Sequence, residues 1–297
     1  MDLASGRAST AIAIVRNPES GSALDRDALT QALDGQGVAA DILDIPDGGN
    51  FEAWIDGVAG KYDVIVATGG DGTVSSVAAA ARAGKTFGVI PSGTLNHFAR
   101  DAGIPLELDQ AVAVLGGGAP RPVDYGMVND QFFLNNVSIG NYPRMVRKRE
   151  AIEERGRSKR IAGLVAVAQT WWDLRNVTAS ITTDDRNLVR RSPFILIGNG
   201  SYVLSGFALG KRETISDHQL SLYVAPSTGR LGVLSLPLRA LVSGLDQYEQ
   251  FESFSAKKIS ITLRHPRVLA GIDGEVRELA SPLRFELRSA ALQVLLP

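Results

Sequence analysis

The chain has 297 residues, which is enough for two domains of ordinary size with buried cores. Hydrophobic residues make up 44% and charged residues 21%, close to the globular average, so a disordered chain is excluded. With 31 basic and 32 acidic side chains the net charge is −1, and no basic field favours nucleic acid as a partner. The lack of cysteine excludes disulfides, thiolate nucleophiles and Fe–S clusters.

The apolar runs of the sequence are short. Ala11 to Val15 is too short for the apolar part of a signal peptide, and Ile161 to Ala168 and Leu231 to Leu238 are well under the length of a membrane span. We therefore expect a soluble protein, with the cytoplasm as its compartment. The sequence leaves the oligomeric state open, with a homodimer as one alternative.

Residues 1–128 alternate short apolar runs with helical patterns, which predicts an α/β domain with a parallel sheet. Strands are predicted at Ala11–Val15, Tyr62–Ala67 and Phe87–Ile90. The helix between the last two strands has one apolar stripe, formed by Val74, Val77, Ala78 and Ala81.

Residues 129–288 instead contain short apolar runs separated by turn residues, which predicts an antiparallel, β-sandwich-like domain. The predicted strands are Phe132–Ile139, Asn176–Thr183, Pro193–Gly198, Gln219–Val224, Lys258–Leu263, Val268–Val276 and Leu283–Leu287. Helical patterns at Ile161–Leu174 and Leu231–Leu245 interrupt them. The closing run Ala290–Leu296 fits either domain, so residues from about 289 to 297 are an alternative completion of the first.

The segment Gly69-Gly70-Asp71-Gly72-Thr73 follows a predicted strand and opens a predicted helix. Glycines let backbone N–H groups approach a phosphate, and a helix N-terminus adds partial positive charge. A carboxylate about 4 Å from a phosphate oxygen is repelled by about 4 kcal/mol, so Asp71 implies a bridging divalent cation or a role in proton transfer. The alternative is a glycine-rich turn with Asp71 or Thr73 as the helix N-cap.

A second loop of the same type, Pro91-Ser92-Gly93-Thr94-Leu95-Asn96-His97, follows the next strand. Because neighbouring parallel strands share a crevice at their carboxyl ends, both loops are expected to face one ligand. A Pro-Ser-Gly turn that caps a helix is the alternative. The loop Asn17-Pro18-Glu19-Ser20-Gly21 after the first strand is weakly specific by itself.

Two acidic segments stand out in the second domain. Ile272-Asp273-Gly274-Glu275 places two carboxylates at a tight turn or strand end, although Asp-Gly between apolar runs is first of all a hairpin signal. Asp217-His218-Gln219-Leu220 is either a turn or a carboxylate that supports a metal–water network.

In order and spacing, these segments resemble the diacylglycerol kinase catalytic family, which includes bacterial soluble lipid kinases and the sphingosine kinases. The matching residues are Asn17-Pro18 with Gly21, Gly69 to Thr73, Gly93 to Ala99, Asn135-Asn136 with Gly140, and Asp273-Gly274-Glu275. The resemblance implies a nucleotide-binding α/β domain, a β-sandwich-like lipid domain and an active site in the cleft between them. It also implies that ATP, with Mg²⁺, phosphorylates a lipid hydroxyl, a reaction that needs mainly positioning and charge neutralisation.

The resemblance assigns roles residue by residue. The residues assigned to the phosphates and their metal are Gly69, Gly70, Asp71, Gly72 and Thr73. Those assigned to the rest of the nucleotide are Gly93, Thr94 and Asn96, with Asn17 at the border of the pocket. Asp273 is the leading candidate for the general base, Glu275 orients it or assists magnesium, and Asp71 is the rival base. Asp217 is a further candidate metal ligand.

Three departures from the family pattern keep alternatives open. His97 stands where many members carry Asp, His218 follows Asp217 where Gly is common, and Leu204 to Ile215 lacks the expected Gly-Gly and Pro-x-Ala features. The last leaves the lipid unspecified. The alternatives are an NAD kinase, which shares the first loop, and a catalytically silent protein that binds lipid or nucleotide.

The segment from Arg144 to Trp172 combines a basic cluster with an apolar helix that ends in two tryptophans. Basic residues and tryptophans favour an anionic membrane surface, so this segment is a candidate for peripheral contact with the inner membrane face. A solvated charged helix followed by a core helix is the alternative.

Overall fold

The computed structural model describes residues 10–18, 23–48, 50–153, 162–163, 165–166, 169, 173–205, 208–212, 214–227 and 252–297. The chain forms two compact units. One extends to Asp124 and also includes Ala290–Pro297, and the other is Tyr125–Ser289. The predicted helix Leu231–Leu245, the Glu19–Gly21 part of the first loop and the Trp171-Trp172 pair lie outside the described residues.

The first unit contains a parallel sheet with strand order β2-β1-β3-β4, followed by the last part of β18. Its strands are β1 Ile12–Arg16, β2 Asp41–Asp44, β3 Val64–Gly69 and β4 Thr86–Pro91, and β18 is Leu283–Leu296. Its helices are α1 Arg26–Gln36, α2 Phe51–Ala59, α3 Asp71–Ala81, α4 His97–Asp101 and α5 Leu108–Gly117. The predicted α/β class is confirmed.

The burial of this sheet fits its parallel arrangement. Every residue of β3 is buried, as expected for a strand covered by helices on both faces. The helix α3 buries its predicted stripe, with Val77, Ala78 and Ala81 at 0% exposure. Helix α1 is bounded by local signals, since Asp25 caps its N-terminus and Gly37 ends it in the left-handed region.

The strand order places a topological switch point between β1 and β3. The chain continues from β1 to the β2 side and from β3 to the β4 side, so their carboxyl ends open a crevice. Arg16 pairs with Thr68 in the register, which brings the start of the Asn17 loop beside the Gly69 loop.

The second unit is built from antiparallel strands, as predicted. One sheet has the order β14-β13-β10-β7-β16-β17, and β18, β15, β8 and β9 form a second antiparallel group. The bounds are β6 Gln131–Phe133, β7 Asn136–Gly140, β8 Val177–Thr183, β9 Asn187–Ser192, β10 Phe194–Asn199, β11 Tyr202–Ser205, β12 Ala208–Arg212, β13 Leu220–Val224, β14 Glu252–Ala256, β15 Lys258–Leu263, β16 Arg267–Ile272 and β17 Glu275–Ala280. Strand β5 is Ala119–Val128, and helix α6 is Asn141–Glu153.

Both groups of strands contribute to one core in this unit. Ile139 and Ile197 come from the six-stranded sheet, and Ile181 and Ile261 from the other group. Strand β8 alternates buried and exposed residues, the pattern of a sheet with one covered face. The β-sandwich-like architecture follows from this shared core.

Two predicted strands are divided in the structure. Phe132–Ile139 is split into β6 and β7, because Leu134 and Asn135 leave the ladder and their backbone groups bond to distant side chains, as described below. Val268–Val276 is split into β16 and β17 by a two-residue turn, Asp273-Gly274, in which both residues have positive φ. Period-2 patterning does not detect such interruptions, since the apolar residues continue on both sides.

The closing run returns to the first unit. Gln293 and Val294 pair in parallel with Thr86 and Phe87 of β4. Among the described residues, no helix combines the length and apolar character that a membrane crossing requires.

Candidate functional site

Two glycine-rich loops lie at the carboxyl ends of the neighbouring strands β3 and β4. The loops pack against each other, since the backbone N–H of Ser92 donates to the carbonyl oxygen of Gly69 at 3.2 Å. A Cβ on Gly93 would lie 2.5 Å from the Cα of Gly70, a distance that real side chains do not reach. Glycine is therefore required at 93, and the backbones of the two loops approach each other closely at this point, as in loops that bind phosphate.

Helix α3 begins inside the first loop. Gly70 is its N-cap, with an extended backbone and no capping side chain, so the alternative in which Asp71 or Thr73 caps the helix is wrong. Both residues, with Gly72 between them, lie in the first helical turn. The helix N-terminus therefore has no side-chain acceptor from its own cap, and its partial positive charge favours an anion.

The carboxylate of Asp71 connects the two loops. Its Oδ1 accepts a hydrogen bond from the backbone N–H of His97 at 2.8 Å, so it supplies the N-terminal acceptor of helix α4. Among the described residues, no donor bonds to Oδ2, which leaves this oxygen available to a cation. His97 thus contributes its backbone N–H group to the contact between the two loops.

Asn96 gives the second loop its shape. Its side-chain oxygen accepts from the backbone N–H of Gly93 at 2.9 Å, and its side-chain nitrogen donates to the Gly93 carbonyl at 2.7 Å. Its φ of 51° is left-handed, a conformation in which asparagine is enriched. Thr94 is exposed and lies within the turn that these two hydrogen bonds close.

Two buried hydroxyl groups at this edge have no hydrogen-bond partner among the described residues: Oγ1 of Thr68 and Oγ of Ser92. Thr68 is 1% exposed and immediately precedes the first glycine loop. A buried hydroxyl without a partner is costly, so these atoms indicate a polar ligand or water at the edge. Together with the bare glycine backbones, they fit a bound phosphate chain.

In the second unit, Asp273 organises the break between β6 and β7. Its carboxylate accepts three backbone N–H groups, from Leu134 to Oδ2 at 2.7 Å and from Asn135 and Asn136 to Oδ1 at 2.8 and 3.0 Å. The backbone N–H of Asp273 also donates to the carbonyl of Asn136 at 2.9 Å. This carboxylate therefore positions a loop more than 130 residues away in sequence.

The other two predicted carboxylates of this unit have different surroundings. Glu275 is exposed and forms an ion pair with Arg277 at 3.2 Å. Asp217 accepts hydrogen bonds at Oδ2 from the backbone N–H and hydroxyl of Ser201 and from the Gln219 amide, at 2.9, 2.6 and 2.9 Å. Burial would raise the pKa of Asp217, but hydrogen bonds from Ser201 and Gln219 outweigh it and lower the pKa.

The predicted metal ligands are not clustered within either unit. In the part of the chain that is described, no three histidine, aspartate or glutamate side chains are placed to hold one metal ion. Mg²⁺ at a kinase site is commonly held by one or two carboxylates together with water and substrate phosphates, so a single free oxygen on Asp71 fits that ion. The convergence of Asp71 with Asp273 and Glu275 stays a prediction.

Sequence reasoning assigned no role to several residues of these sites, including Ser92 of the predicted second loop. Thr68 and Ser92 immediately precede the glycines, and this position is a signal that could have identified them. Arg212, which is 1% exposed, had no such signal, because its contacts are made to residues as much as 78 positions away.

The two glycine-rich loops and the two-unit architecture together define an α/β protein with an antiparallel second unit. Residues 11–128 match the diacylglycerol kinase catalytic domain. The chain is 31% identical over 255 residues to a Pseudomonas aeruginosa protein named "Probable lipid kinase YegS-like", covering 81% of this chain and 78% of that protein. It is 47% identical over 85 residues to a diacylglycerol kinase of Bacillus subtilis, covering 27% of this chain and 28% of that one.

The fold is also similar to a solved structure. A crystal structure of a diacylglycerol kinase from Bacillus anthracis str. Sterne superposes with a TM-score of 0.70 at 22% identity, over 97% of each chain. The chain belongs to the diacylglycerol kinase catalytic-domain family.

Proposed function

We propose that the protein transfers the γ-phosphoryl group of ATP, in the presence of Mg²⁺, to the hydroxyl group of a diacylglycerol-like lipid. The observation that carries the proposal is the close packing of Gly70 and Gly93 at the carboxyl ends of adjacent parallel strands. Two glycine-rich loops, a helix N-terminus and two buried hydroxyl groups that have no partner among the described residues form a cradle for a chain of phosphates. Membership of a lipid kinase family supports the choice of acceptor.

In this proposal the first unit holds the nucleotide. Gly69, Gly70, Gly72 and Thr73 surround the phosphates, and the second loop, through Gly93, Thr94 and Asn96, holds the rest of the nucleotide with Asn17 beside it. The free Oδ2 of Asp71 is the metal ligand. Bound Mg²⁺ supplies neutralisation of the phosphate charge, which is the main electrostatic requirement of phosphoryl transfer.

The second unit holds the lipid acceptor in this proposal. Asp273 takes the proton of the attacking hydroxyl, with Glu275 as an orienting or metal-assisting group, and Asp71 is the rival base. Its carboxylate is held in place for this role by the backbone N–H groups of Leu134, Asn135 and Asn136. Asp217 is retained as a second candidate metal ligand, although its Oδ2 is already engaged by Ser201 and Gln219.

Helix α6 is proposed to bring the protein to the inner face of the membrane. Arg147 and Arg149 are exposed, and Arg149 also forms an ion pair with Glu153 at 3.4 Å. Arg144 forms an ion pair with Asp173 at 3.0 Å, and Lys148 lies 3.9 Å from the same carboxylate. Each exposed Lys or Arg near an anionic leaflet contributes about 1 kcal/mol of binding. Arg147, together with Arg149 once it exchanges Glu153 for a lipid phosphate, is thus the part of helix α6 proposed to contact lipid headgroups.

The test is a phosphoryl-transfer assay with ATP labelled in the γ-phosphate, Mg²⁺ and a panel of extracted lipids, with NAD as a separate acceptor. We expect label in a lipid product and none in NAD. Label in NAD would favour the NAD kinase alternative. Binding of ATP without label in any acceptor would favour a silent binding protein.

A further inference from the structure

The buried guanidinium group of Arg212 contacts the loop between β6 and β7, which the carboxylate of Asp273 also holds. Arg212 Nη1 donates to the carbonyl oxygens of Leu134 and Asn199, both at 3.1 Å. Its Nη2 donates to the side-chain Oδ1 of Asn135 at 3.1 Å. The loop between β6 and β7 is thus bound through its N–H groups by a carboxylate and through its oxygens by a guanidinium.

This arrangement fixes which way the side-chain amide of Asn135 points. A guanidinium has only donors, so the oxygen of the amide must face Arg212 and the NH₂ group must face away. The backbone of the same residue is held as well, since its carbonyl accepts from the Tyr202 hydroxyl at 2.9 Å and from the backbone N–H of Asn199 at 2.8 Å.

The NH₂ group of Asn135 is left with both of its donors unused. Asn135 is 4% exposed, and no acceptor among the described residues bonds to its Nδ2, which is not one of the fully buried atoms that lack a partner. The NH₂ group therefore keeps contact with solvent, where an acceptor oxygen of a ligand can take the place of water. The same residue donates its backbone N–H to Asp273, so the unused amide is on the residue that contacts the proposed base.

We propose that Asn135 is a substrate-binding residue whose side-chain NH₂ donates to an acceptor oxygen of the lipid, a carbonyl or ether oxygen close to the hydroxyl that is phosphorylated. Arg212 is a positioning residue that sets the orientation of this amide. The inference rests on the proposed lipid kinase function. Because the amide and the guanidinium are both donors at this position, an acceptor lipid with an ammonium group in place of that oxygen is disfavoured.

Asn135→Asp is the sharpest variant. It keeps an oxygen for Arg212, and the resulting ion pair preserves the loop, but it replaces the NH₂ donors with a carboxylate oxygen. Asn187→Asp is the matched control, since Asn187 is exposed on β9 of the same unit and the change in charge is identical.

The experiment measures kcat and KM for ATP, for a short-chain diacylglycerol and for a sphingoid base, in wild type and both variants, with Tm as the stability readout. We expect Asn135→Asp to lower kcat/KM for the diacylglycerol by about 10- to 100-fold, because one or two hydrogen bonds to the lipid are lost. The change should come mainly from a higher KM. KM for ATP should stay within about twofold of the wild-type value, and the preference for diacylglycerol over sphingoid base should fall by at least about 10-fold. Asn187→Asp should match the wild type.

The role of Arg212 is tested by Arg212→Lys, which keeps the charge but loses the planar fork. We expect it to lower kcat/KM for the diacylglycerol in the wild-type background and to have little further effect on it in the Asn135→Asp background. A purely structural role would lower activity equally in both backgrounds, and this result would overturn the assignment.

Two outcomes separate this inference from the proposed function. If the wild-type protein phosphorylates no lipid, the proposed function and the inference both fail. If the wild type is active and Asn135→Asp keeps the wild-type preference between the two lipids, the inference alone fails. It also fails if kcat/KM falls by the same factor for both lipids while Tm is unchanged. Should Asn135→Asp lower Tm by more than about 5 °C, Asn135→Ser, which is uncharged and leaves an oxygen near Arg212, is judged by the same ratio.

Discussion

Asp71 Oδ1 lies 2.8 Å from the backbone nitrogen of His97, and this hydrogen bond joins two loops that are 26 residues apart in the chain. One carboxylate therefore has two possible uses, with one oxygen in the structure of the loops and the other available to a cation. The two uses can be separated, because asparagine reproduces the first and removes the negative charge needed for the second.

We expect Asp71→Asn to lower kcat by at least about 100-fold, since the metal loses its charged ligand, while the free energy of unfolding changes by less than about 1 kcal/mol. Asp71→Ala should lose the hydrogen bond as well and be about 1 kcal/mol less stable than Asp71→Asn. Steady-state kinetics and urea unfolding measure both quantities. Wild-type kcat in Asp71→Asn would exclude a charged role for this residue.

The contact between Gly70 and Gly93 predicts a strong effect of a single methyl group. In Gly93→Ala the new Cβ would meet the Gly70 backbone at 2.5 Å and Asn96 Oδ1 at 2.9 Å, so the two loops must move apart. We expect the KM for ATP to rise by about 10-fold or more, since a displaced phosphate contact loses about 1.4 kcal/mol or more.

The matched control for that change is Gly35→Ala. A Cβ at Gly35, within helix α1, has nothing within 4 Å, and alanine is the better helix former by about 1 kcal/mol. This variant should be slightly more stable and kinetically unchanged. An unaltered KM for ATP in Gly93→Ala would show that the packing of these loops does not matter for nucleotide binding.

Asp273→Asn tests a residue with both a structural and a proposed catalytic role. An asparagine offers one oxygen and one NH₂ group, so at least one of the N–H groups of Leu134, Asn135 and Asn136 loses its acceptor. We expect a loss of about 1–3 kcal/mol in the free energy of unfolding and a decrease of about 10²- to 10⁴-fold in kcat, with ATP binding little changed. Urea unfolding, kinetics and ATP titration measure the three quantities, and full activity would remove Asp273 as the base.

The ion pair between Arg16 and Asp44 predicts a dependence of stability on pH. The hydrogen bond from Arg16 Nε at 2.6 Å lowers the pKa of Asp44 below its ordinary value. The pair therefore contributes fully above the unfolded pKa of about 3.9, and its contribution is lost as the pH falls through the lower pKa of the folded state. Because the Asp44 side chain is 36% exposed, the contribution is at most about 1 kcal/mol.

The measurement for this pair is the free energy of unfolding of the wild type and of Asp44→Asn between pH 7 and pH 2. We expect the wild type to be more stable at pH 7, with the difference shrinking towards zero at the acidic end. A difference of constant size over the whole range would contradict the shift in pKa.

Membrane contact through α6 is tested by co-sedimentation with vesicles of phosphatidylglycerol and phosphatidylcholine. The double change Arg147→Gln and Arg149→Gln should weaken binding by about 10- to 30-fold, corresponding to about 1 kcal/mol per cation. Arg264→Gln and Arg267→Gln together form the control, because they also combine one exposed arginine with one in a salt bridge, Arg267 with Glu278 at 3.8 Å. Equal effects of the two pairs would assign the attraction to net charge rather than to α6.

The sequence predicts the parts of the molecule that depend on local order. Strand β3, helix α3 and strand β4 follow from apolar periodicity, and the two glycine loops follow from their place between these elements. The Asp273-Gly274 turn was recognisable as a hairpin signal for the same reason.

Contacts between residues far apart in the chain could not be predicted from the sequence. The bond from Asp71 to the His97 backbone, and the use of Arg212 to orient Asn135 across 77 positions, leave no mark on periodicity or spacing. The interruption of the run Phe132–Ile139 has the same origin, since Leu134 and Asn135 leave the ladder for distant partners while apolar residues precede and follow them in the run.

The pairing of the closing strand with β4 has a consequence for how the protein is made. The centre of the first unit's sheet is synthesised early, but Gln293 and Val294 leave the ribosome only after the whole second unit. Until then β4 exposes an unpaired edge to other chains. Newly made protein is therefore open to edge-to-edge association at β4 until Gln293 and Val294 have been synthesised.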